Sequence, residues 1–342
     1  MRAVVLEQHG GPEVLVAKEV PEPSPPAGWV KVRTKACALN HLDLWARRGL
    51  PGVRYPLPLI LGNDVAGEVV ELGAGVEGVE RGAEVVLAPG LGCGRCQACA
   101  EGDDNSCRHY RVLGNGLNGG YAEYVVVPAV NALPKPARLS WPEAAAVPLV
   151  FLTAWHMLVT KCRVRMGEDV LVLAAGSGVG VAAIQVAKLF GARVIAAAST
   201  AEKLAKAKKL GADDTVNYAE TDFAAEVRKL TDKKGAEIVF EHTGQDTWPK
   251  SILAVARGGR IVTCGATSGH EAVTDLRHVF GRQIQILGSY MGRRAEMFEV
   301  LRWVAAGRLS PVVDRVLPLE QAAEAHRVLE AREAFGKVVL QP

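Results

Sequence analysis

A regular alternation of short apolar runs and helical segments, which begins at Asp169, constrains the fold of this chain more than any other feature. Strands and helices that alternate at this spacing form a parallel sheet with helices on both faces. The predicted strands are Asp169–Ala174, Ala192–Ala198, Thr215–Asn217, Ile238–Glu241, Gly259–Cys264 and Gln285–Ser289, and helices are predicted at Val181–Phe190 and Ala201–Leu210. The predicted fold class is therefore α/β, with a doubly wound parallel sheet.

The N-terminal part of the chain differs, because short β runs recur there between clusters of Gly and Pro, which is typical of a mostly β domain. Its predicted strands are Arg2–Leu6, Trp29–Ala38, Ala66–Leu72, Glu84–Leu87 and Tyr121–Pro128, followed by a helix at Glu143–Val159. A chain of 342 residues is long enough for two domains. We place the mostly β domain at residues 1–147 and 291–342, with a last strand at Lys337–Leu340, and the parallel-sheet domain at residues 148–290.

Four of the seven cysteines lie in one short loop: Cys93, Cys96, Cys99 and Cys107. Zn²⁺ takes four thiolates in a tetrahedron, and Gly92 and Gly94 give the connecting backbone freedom to turn. Four sulfurs leave no position for a water or a substrate, so we predict one structural zinc in a lobe at about residues 90–110. The alternatives are two disulfides, which are typical of secreted proteins, and an iron–sulfur cluster.

Charge and hydropathy disfavour several classes of partner. The net charge is only +3, without a basic stripe, so no nucleic acid is expected. No apolar run reaches the ~18 residues of a membrane span, and the N-terminus does not resemble a signal peptide. Cys37, Cys162 and Cys264 have no evident disulfide partner, which suits a reducing compartment. We expect a cytoplasmic protein with no membrane partner.

The first turn of the parallel sheet carries a candidate dinucleotide site, formed by Ala175, Gly176, Ser177, Gly178, Val179 and Gly180. A turn between a strand and a helix binds pyrophosphate through the backbone N–H groups at the helix N-terminus. In the G-x-G-x-x-G pattern, Ala175 and Ser177 replace the first two glycines and Gly180 keeps the third. The alternative is a structural turn that binds no ligand.

The end of the next strand bears on cofactor choice. Enzymes that use NAD place an Asp or Glu there to bind the ribose 2′-hydroxyl, whereas this chain has Ser199 and Thr200, with Lys203 nearby. Small hydroxyls and a lysine suit a 2′-phosphate, so we predict NADP(H), with NAD as the alternative. Ser199 and Thr200 are also suited simply to cap the next helix.

Together these features resemble the medium-chain dehydrogenase/reductase superfamily over essentially the whole chain. Beyond the cysteine loop and the glycine-rich turn, the motifs that carry the resemblance are Met1–Val5, Pro58–Val69 and Phe335–Val339. The resemblance implies a GroES-like catalytic domain, a Rossmann cofactor domain and a cleft between them that holds the nicotinamide. It also implies a homodimer or homotetramer joined through edge strands of the cofactor sheet.

The chain departs from the zinc alcohol dehydrogenases of this superfamily at the catalytic metal. Where those enzymes have a cysteine ligand and a histidine ligand, this sequence has Asn40 and Asn63, and the region of their third ligand reads Leu149–Phe151. A catalytic zinc needs about three N, S or O ligands and an open position. We therefore predict that the catalytic zinc is missing. The segments Asn40–Gly49 and Pro148–Trp155 resemble instead the zinc-free quinone oxidoreductase and enoyl reductase branch.

The resemblance assigns candidate roles around the acceptor. Without a metal, hydride transfer to a conjugated carbonyl is easier than to a simple ketone, because the developing charge delocalises. Asn40 is the candidate for binding the acceptor oxygen, Tyr55 is a candidate donor, Asp43 orients the segment and Thr153 contacts the nicotinamide. The alternatives are that Asn40 only closes a loop and that Tyr55 only packs.

Further candidate cofactor contacts follow from the same resemblance and from the ends of the strands, where ligands collect in open parallel sheets. They are His41 near the cofactor phosphates, His242 and Thr243 beside the nicotinamide ribose, and Cys264, Gly265, Gly288 and Ser289 as lining. His41 is equally compatible with a structural role, and His242 and Thr243 with an ordinary loop.

The leading functional hypothesis is an NAD(P)H-dependent oxidoreductase that reduces a quinone, an enone or another conjugated carbonyl. One alternative is an alcohol dehydrogenase with an unusual metal site built from His41, Asp43, Asp64 or His156. The alternative of another class is a non-enzymatic protein that senses nucleotides or binds RNA.

Overall fold

The computed structural model describes all residues from Met1 to Pro342, and these form two compact units. The first unit comprises Met1–Leu149 and Arg293–Pro342, and the second comprises Val150–Gly292. The boundaries predicted from the sequence lie two residues earlier at both junctions. None of the helices has both the length and the apolar character needed to cross a bilayer.

The first stretch of the chain contains ten strands and three helices. The strands are β1 Arg2–Leu6, β2 Leu15–Glu19, β3 Trp29–Ala38, β4 Leu59–Ile60, β5 Asp64–Leu72, β6 Glu84–Leu87, β7 Gly90–Leu91, β8 Arg111–Val112, β9 Tyr124–Pro128 and β10 Ala132–Pro134. The helices are α1 His41–Arg48, α2 Gln97–Ala100 and α3 Trp141–Ala145.

The middle stretch alternates strands and helices. Its strands are β11 Asp169–Val172, β12 Arg193–Ala198, β13 Asp214–Asn217, β14 Ala236–Glu241, β15 Val255–Thr263 and β16 Gln285–Gly288. Its helices are α4 Pro148–Trp155, α5 Gly178–Leu189, α6 Ala201–Lys209, α7 Phe223–Leu230, α8 Trp248–Ala254 and α9 Leu276–Arg282. The chain then returns to the first unit through α10 Arg294–Ala305, β17 Val313–Pro318, α11 Ala322–Glu330 and β18 Lys337–Gln341.

The second unit has the predicted fold class. Its six strands lie in the order β13-β12-β11-β14-β15-β16, and every neighbouring pair is parallel. The sheet is hidden from solvent at its centre, where Val170–Val172 and Val194–Ala198 are buried. Apolar side chains on both faces of these strands are what a sheet with helices on each side requires. The doubly wound prediction is therefore confirmed.

The first unit is mostly β, as predicted, and is built around a sheet in the order β10-β6-β5-β3-β18-β17, with β9 also paired to β3. A smaller sheet has the order β2-β1-β4. Strand β3 is central, because it pairs with β5 along one edge and with β18 near its end. Ala38, the last residue of β3, lies opposite both Asp64 of β5 and Val339 of β18. Three distant segments of the chain therefore meet where β3 ends.

The prediction of one continuous helix over Glu143–Val159 is wrong, because the structure divides this stretch into three segments. The structure has α3, which ends at Ala145, then α4, which starts at Pro148, and then a wide π-helical segment at His156–Lys161. Pro148 lacks a backbone N–H and disfavours the helical conformation at Val147, so the helix breaks before it and restarts at it. Smaller differences are a later start of β9, at Tyr124 instead of Tyr121, and an earlier start of α5, at Gly178.

Candidate functional site

The turn into α5 is built to present backbone N–H groups. Ser177 caps the helix, and its hydroxyl accepts a hydrogen bond from Gly180 N at 3.0 Å. Gly180 packs tightly: a Cβ there would lie 2.6 Å from Ala174 O and 3.0 Å from Ala175 Cα. This is the close approach of helix and strand for which the third glycine of a dinucleotide-binding turn is needed. Ala174 has a positive φ of 43°, which marks the sharp change of direction between β11 and α5.

Several predicted cofactor residues gather at the carboxyl ends of neighbouring strands in the second unit. His242 Nε2 lies 3.0 Å from Leu173 O and 3.4 Å from Ser177 Oγ, which places it beside the α5 turn. A carbonyl only accepts, so Nε2 carries a proton. Burial lowers the pKa of His242 and keeps the imidazole neutral. The next residue, Thr243, donates its backbone N–H to Glu241 Oε1 at 2.7 Å.

Glu241 is a buried carboxylate that the sequence analysis did not single out. Besides the N–H of Thr243 it accepts bonds from the Thr247 hydroxyl, at 2.9 and 3.0 Å, and from the Ser251 hydroxyl at 2.6 Å. A buried carboxylate is tolerated when its oxygens are filled by donors in this way. Glu241 therefore holds the loop that carries His242 and Thr243 in one conformation.

The remaining predicted lining lies at the ends of β15 and β16. Ser289 N donates to Thr263 O at 2.9 Å, and this brings the Cys264–Gly265 and Gly288–Ser289 segments side by side. The Ser289 hydroxyl is buried without a partner in the protein, and so is the hydroxyl of Thr153 on α4. Orphaned buried hydroxyls are expected where a ligand supplies the missing partner. Together with the Gly180 turn, they fit a dinucleotide bound to this unit.

The end of β12 carries no carboxylate. Thr200 caps α6, and its hydroxyl accepts from Lys203 N at 3.3 Å, while Ser199 is exposed. Glu202, the nearest acidic side chain in sequence, forms an ion pair with Lys206 at 2.7 Å. The capping role considered for Thr200 is therefore present in the structure.

In the first unit, three buried side chains meet at the end of β3. Lys337 Nζ lies 2.5 Å from Asn40 Oδ1 and 2.9 Å from Asp64 Oδ2, and Asn40 Nδ2 donates to the same Asp64 oxygen at 2.9 Å. Lys337, Asn40 and Asp64 are 4%, 6% and 0% exposed. The other Asp64 oxygen accepts from Leu149 N at 2.7 Å. We call Asn40, Asp64 and Lys337 the buried triad.

Asp43 lies beside the buried triad, on the first turn of α1. Its two oxygens accept from Asn40 N at 2.7 Å and from Gly62 N at 3.0 Å. Burial raises the pKa of Asp43 to about 7, against the lowering effect of these two N–H groups and of the Lys337 charge. The orienting role predicted for Asp43 therefore has a geometric basis, since Asp43 ties the start of α1 to the turn at Gly62.

We predict that Asp43 makes stability depend on pH. A carboxyl whose pKa is raised by folding contributes stability that is complete below its unfolded pKa of about 4 and is lost as pH rises to about 7. Asp43→Asn removes the titrating group and with it this dependence. Between pH of about 4 and about 7, the unfolding free energy of the wild type should therefore fall by about 4 kcal/mol relative to that of the variant. Urea unfolding at several pH values measures it, and parallel curves would contradict it.

Three other residues of the first unit that the sequence analysis named are not members of the buried triad. His41 is the first residue of α1 and is half-buried. Tyr55 is half-buried and packs its ring at 5.3 Å, edge to face, on His9. Asn63, at the position of the family's histidine ligand, is fully buried and donates Nδ2 to Leu113 O at 2.5 Å.

The cysteine loop has the geometry of a metal site. The Sγ atoms of Cys93, Cys96, Cys99 and Cys107 all lie within 4.8 Å of one another. Gly94 has a φ of 72°, and a Cβ at Gly92 would lie 2.9 Å from Cys99 Sγ. Backbone N–H groups of Arg95 and Cys96 lower the pKa of Cys93 to about 6, which favours the thiolate. Four converging thiols with this turn chemistry fit a closed zinc site.

The positions that would bind a catalytic metal do not fit one. Across the chain, the cysteine loop forms the single group of three or more His, Cys, Asp or Glu residues that is close enough to hold a metal ion. Asp64 is instead paired with the ammonium group of Lys337. A lysine has three donors and no lone pair when charged, so it cannot be a metal ligand. The unusual metal site proposed as an alternative therefore has no support in this geometry.

Comparison with known proteins places the chain in a family. Residues 26–137 match the alcohol dehydrogenase GroES-like domain, and residues 178–306 match the zinc-binding dehydrogenase family. A solved structure described as an NAD-dependent alcohol dehydrogenase is 56% identical, with a TM-score of 0.97 and full coverage of both chains. The chain belongs to the medium-chain dehydrogenase/reductase superfamily. It is accordingly an NAD(P)-dependent oxidoreductase, so the non-enzymatic hypothesis is wrong.

Curated relatives in this superfamily are named for different activities, including alcohol dehydrogenase and quinone oxidoreductase. The NAD-dependent alcohol dehydrogenase of Sulfolobus acidocaldarius is 33% identical, over 100% of this chain and 99% of its own length. Quinone oxidoreductase 1 of Escherichia coli is 30% identical, over 99% of each chain. These two curated relatives resemble the chain to a similar degree, whereas the solved structure at 56% identity is described as an alcohol dehydrogenase. The substrate class is therefore inferred from the residues of the site.

Proposed function

We propose that this medium-chain dehydrogenase/reductase reduces a conjugated carbonyl, such as an enone or a quinone, without a catalytic metal. The observation that carries the proposal is the buried triad, in which a lysine ammonium is bonded to Asn40, at the position of a metal ligand, and to Asp64. The name of the Escherichia coli relative supports the same substrate class.

In this reaction, some residues would bind the cofactor and one would bind the acceptor oxygen. A bound reduced nicotinamide supplies the hydride. The Gly180 turn and the orphaned hydroxyls of Thr153 and Ser289 would hold the cofactor. Asn40 would donate a hydrogen bond to the acceptor oxygen, because an amide nitrogen carries two hydrogens and the bond to Asp64 uses one. In a conjugated acceptor one such donor suffices, since the charge is spread over several atoms.

The cofactor we propose is NADP(H). The end of β12 offers Ser199, Thr200 and the nearby Lys203 instead of a carboxylate, and Glu202 is paired with Lys206. The names of the two alcohol dehydrogenases compared above point to NAD instead. A comparison of the two cofactors on one substrate therefore decides this point.

The test compares two substrates that differ only in conjugation, cyclohexenone and cyclohexanone, each with NADPH and with NADH. We expect kcat/KM to be about 100-fold or more higher for the enone, and higher with NADPH than with NADH. Activity should survive removal of any metal outside the cysteine loop. Equal rates on the two ketones, or turnover of alcohols alone, would contradict the proposal.

We also propose that two or four copies assemble through the edge of the parallel sheet in the second unit. Strand β16 pairs only with β15, and the apolar side chains of Leu276, Phe280 and Ile286 are exposed on or near it. An open edge strand with apolar neighbours pairs readily with another chain, so the mass in solution should exceed that of one chain. A monomer would contradict this assembly.

A further inference from the structure

The buried triad is costly to keep, and its cost points to a role beyond stability. Lys337 and Asp64 form an ion pair that is almost completely removed from solvent. Removing two charges from water costs more than a well-packed apolar pair would, so such a pair is weak evidence of a stabilising role. What the pair does provide is a fixed orientation for the side chain that is bonded to both partners, which is Asn40.

The chemistry of the two partners leaves Asn40 one orientation. A lysine ammonium only donates, so the amide oxygen of Asn40 faces Lys337. An ionised carboxylate only accepts, so the amide nitrogen faces Asp64. The positions of oxygen and nitrogen at Asn40 therefore follow from the chemistry of these two partners.

The charge of Lys337 also affects the hydrogens of Asn40. A hydrogen bond from an ammonium group to the amide oxygen draws electron density from the amide nitrogen, and bonds arranged in series strengthen one another. The second N–H of Asn40 is thereby a better donor to an oxygen that gains negative charge. The Asp64 carboxylate offsets the long-range field of the Lys337 ammonium, so the effect of Lys337 reaches that oxygen through the polarised Asn40 amide.

We propose that Lys337 is the positioning residue of this enzyme: it supplies, through the Asn40 amide, the positive charge that stabilises the acceptor oxygen during hydride transfer. This inference rests on the proposed function of Asn40. Lys337 itself touches Asn40 and Asp64, not the substrate. Its place opposite Asn40 is set by the register of β18 on β3, in which Val339 faces Ala38.

The test is a double-mutant cycle on the full-length enzyme with Lys337→Met, Asn40→Ser and the double variant. Serine keeps a helix-capping oxygen and removes the amide. Each single variant is expected to lower kcat about 10- to 100-fold, with KM changed by less than about 3-fold. The double variant should be no slower than the slower single variant, because both substitutions remove the same interaction between Lys337 and Asn40.

Two further variants separate the role of the charge from a structural role. Lys337→Arg keeps the charge and should recover most of kcat. Lys31→Met is the control, because Lys31 is also a buried lysine of the same unit, 9% exposed against 4% for Lys337, and is bonded to Glu22 and Glu71. It should lower the melting temperature and leave kcat unchanged. If Lys337→Met does not fold, Lys337→Gln replaces it in the cycle.

Two results would overturn the positioning role: a kcat of Lys337→Met within about 2-fold of wild type, or losses that multiply in the double variant. The cycle is measured on whichever carbonyl or alcohol the wild type turns over. A wild type that acts only on alcohols therefore overturns the proposed function, whereas multiplicative losses overturn the role of Lys337 alone. NADPH affinity, measured in parallel, should be the same in all variants.

Discussion

Removal of zinc from the cysteine loop should lower the stability of the first unit by at least about 3 kcal/mol, or roughly 6–12 °C in melting temperature for a unit of this size. Zinc bound by four thiolates contributes directly to folding, because the unfolded chain offers no preformed site. Purified protein should contain one zinc per chain. Chelation, or Cys107→Ser, should produce the same loss of stability.

The loss should extend beyond the loop itself. Asp103 accepts from Arg293 Nε at 2.7 Å, and Asp104 accepts from Arg294 N at 2.9 Å. Both aspartates lie between ligands Cys99 and Cys107, and both arginines lie where the chain returns to the first unit. Without the metal, these aspartates lose their fixed positions, so the start of α10 loses two partners.

Cys162→Ser is the matched control for the zinc prediction. Cys162 is as buried as Cys107 but lies outside the loop, so the variant should keep one zinc per chain. A protein that contains no zinc when purified, or a Cys107→Ser variant that melts with the wild type, would contradict the structural zinc site. Disulfides in the loop would instead be revealed by loss of stability on reduction.

Gly180→Ala should weaken NADPH binding about 10- to 100-fold, which corresponds to about 1.4–2.8 kcal/mol. The new Cβ would lie 2.6 Å from the backbone oxygen of Ala174, which cannot rotate away as a side chain could. The first turn of α5 must therefore move off β11, and its N–H groups move with it. Titration of cofactor fluorescence measures the change.

The matched control for this variant is Gly281→Ala. Gly281 lies in α9 of the same unit, and a Cβ there would meet nothing within 4 Å. This variant should bind NADPH as the wild type does and be slightly more stable, since alanine favours a helix. An unchanged affinity in Gly180→Ala would mean that the α5 turn does not hold the cofactor.

Much of the second unit was determined by the sequence alone. The alternation of buried strands and helices fixed the parallel sheet, because strands buried on both faces must be apolar along their length. The close-packed Gly180 was visible in the sequence, since the approach of helix and strand demands that residue type. The cap by Ser177 was not, because the predicted helix began at Val181 and the observed one begins at Gly178. The cysteine loop was visible, because its four ligands lie within fifteen residues.

Other features could be decided only by the tertiary structure. Lys337 was read from the sequence as the first residue of a strand, and nothing local distinguishes it from any other lysine. Its role depends on the register of β18 on β3, which brings it to Asn40 across 297 residues of sequence, and to Asp64 across 273. Glu241 was missed similarly, because its partners Thr247 and Ser251 lie on the following loop and helix.

The helix break at Val147–Pro148 also depends partly on the sequence and partly on the tertiary structure. Proline predicts where a helix must stop, yet only the fold decides whether a second helix starts there. Here the carboxylate of Asp64 accepts from Leu149 N and so stabilises the start of α4. The sequence thus determined which residues could do chemistry, and the packing of distant strands decided which of them meet, because register is set by contacts that no local pattern records.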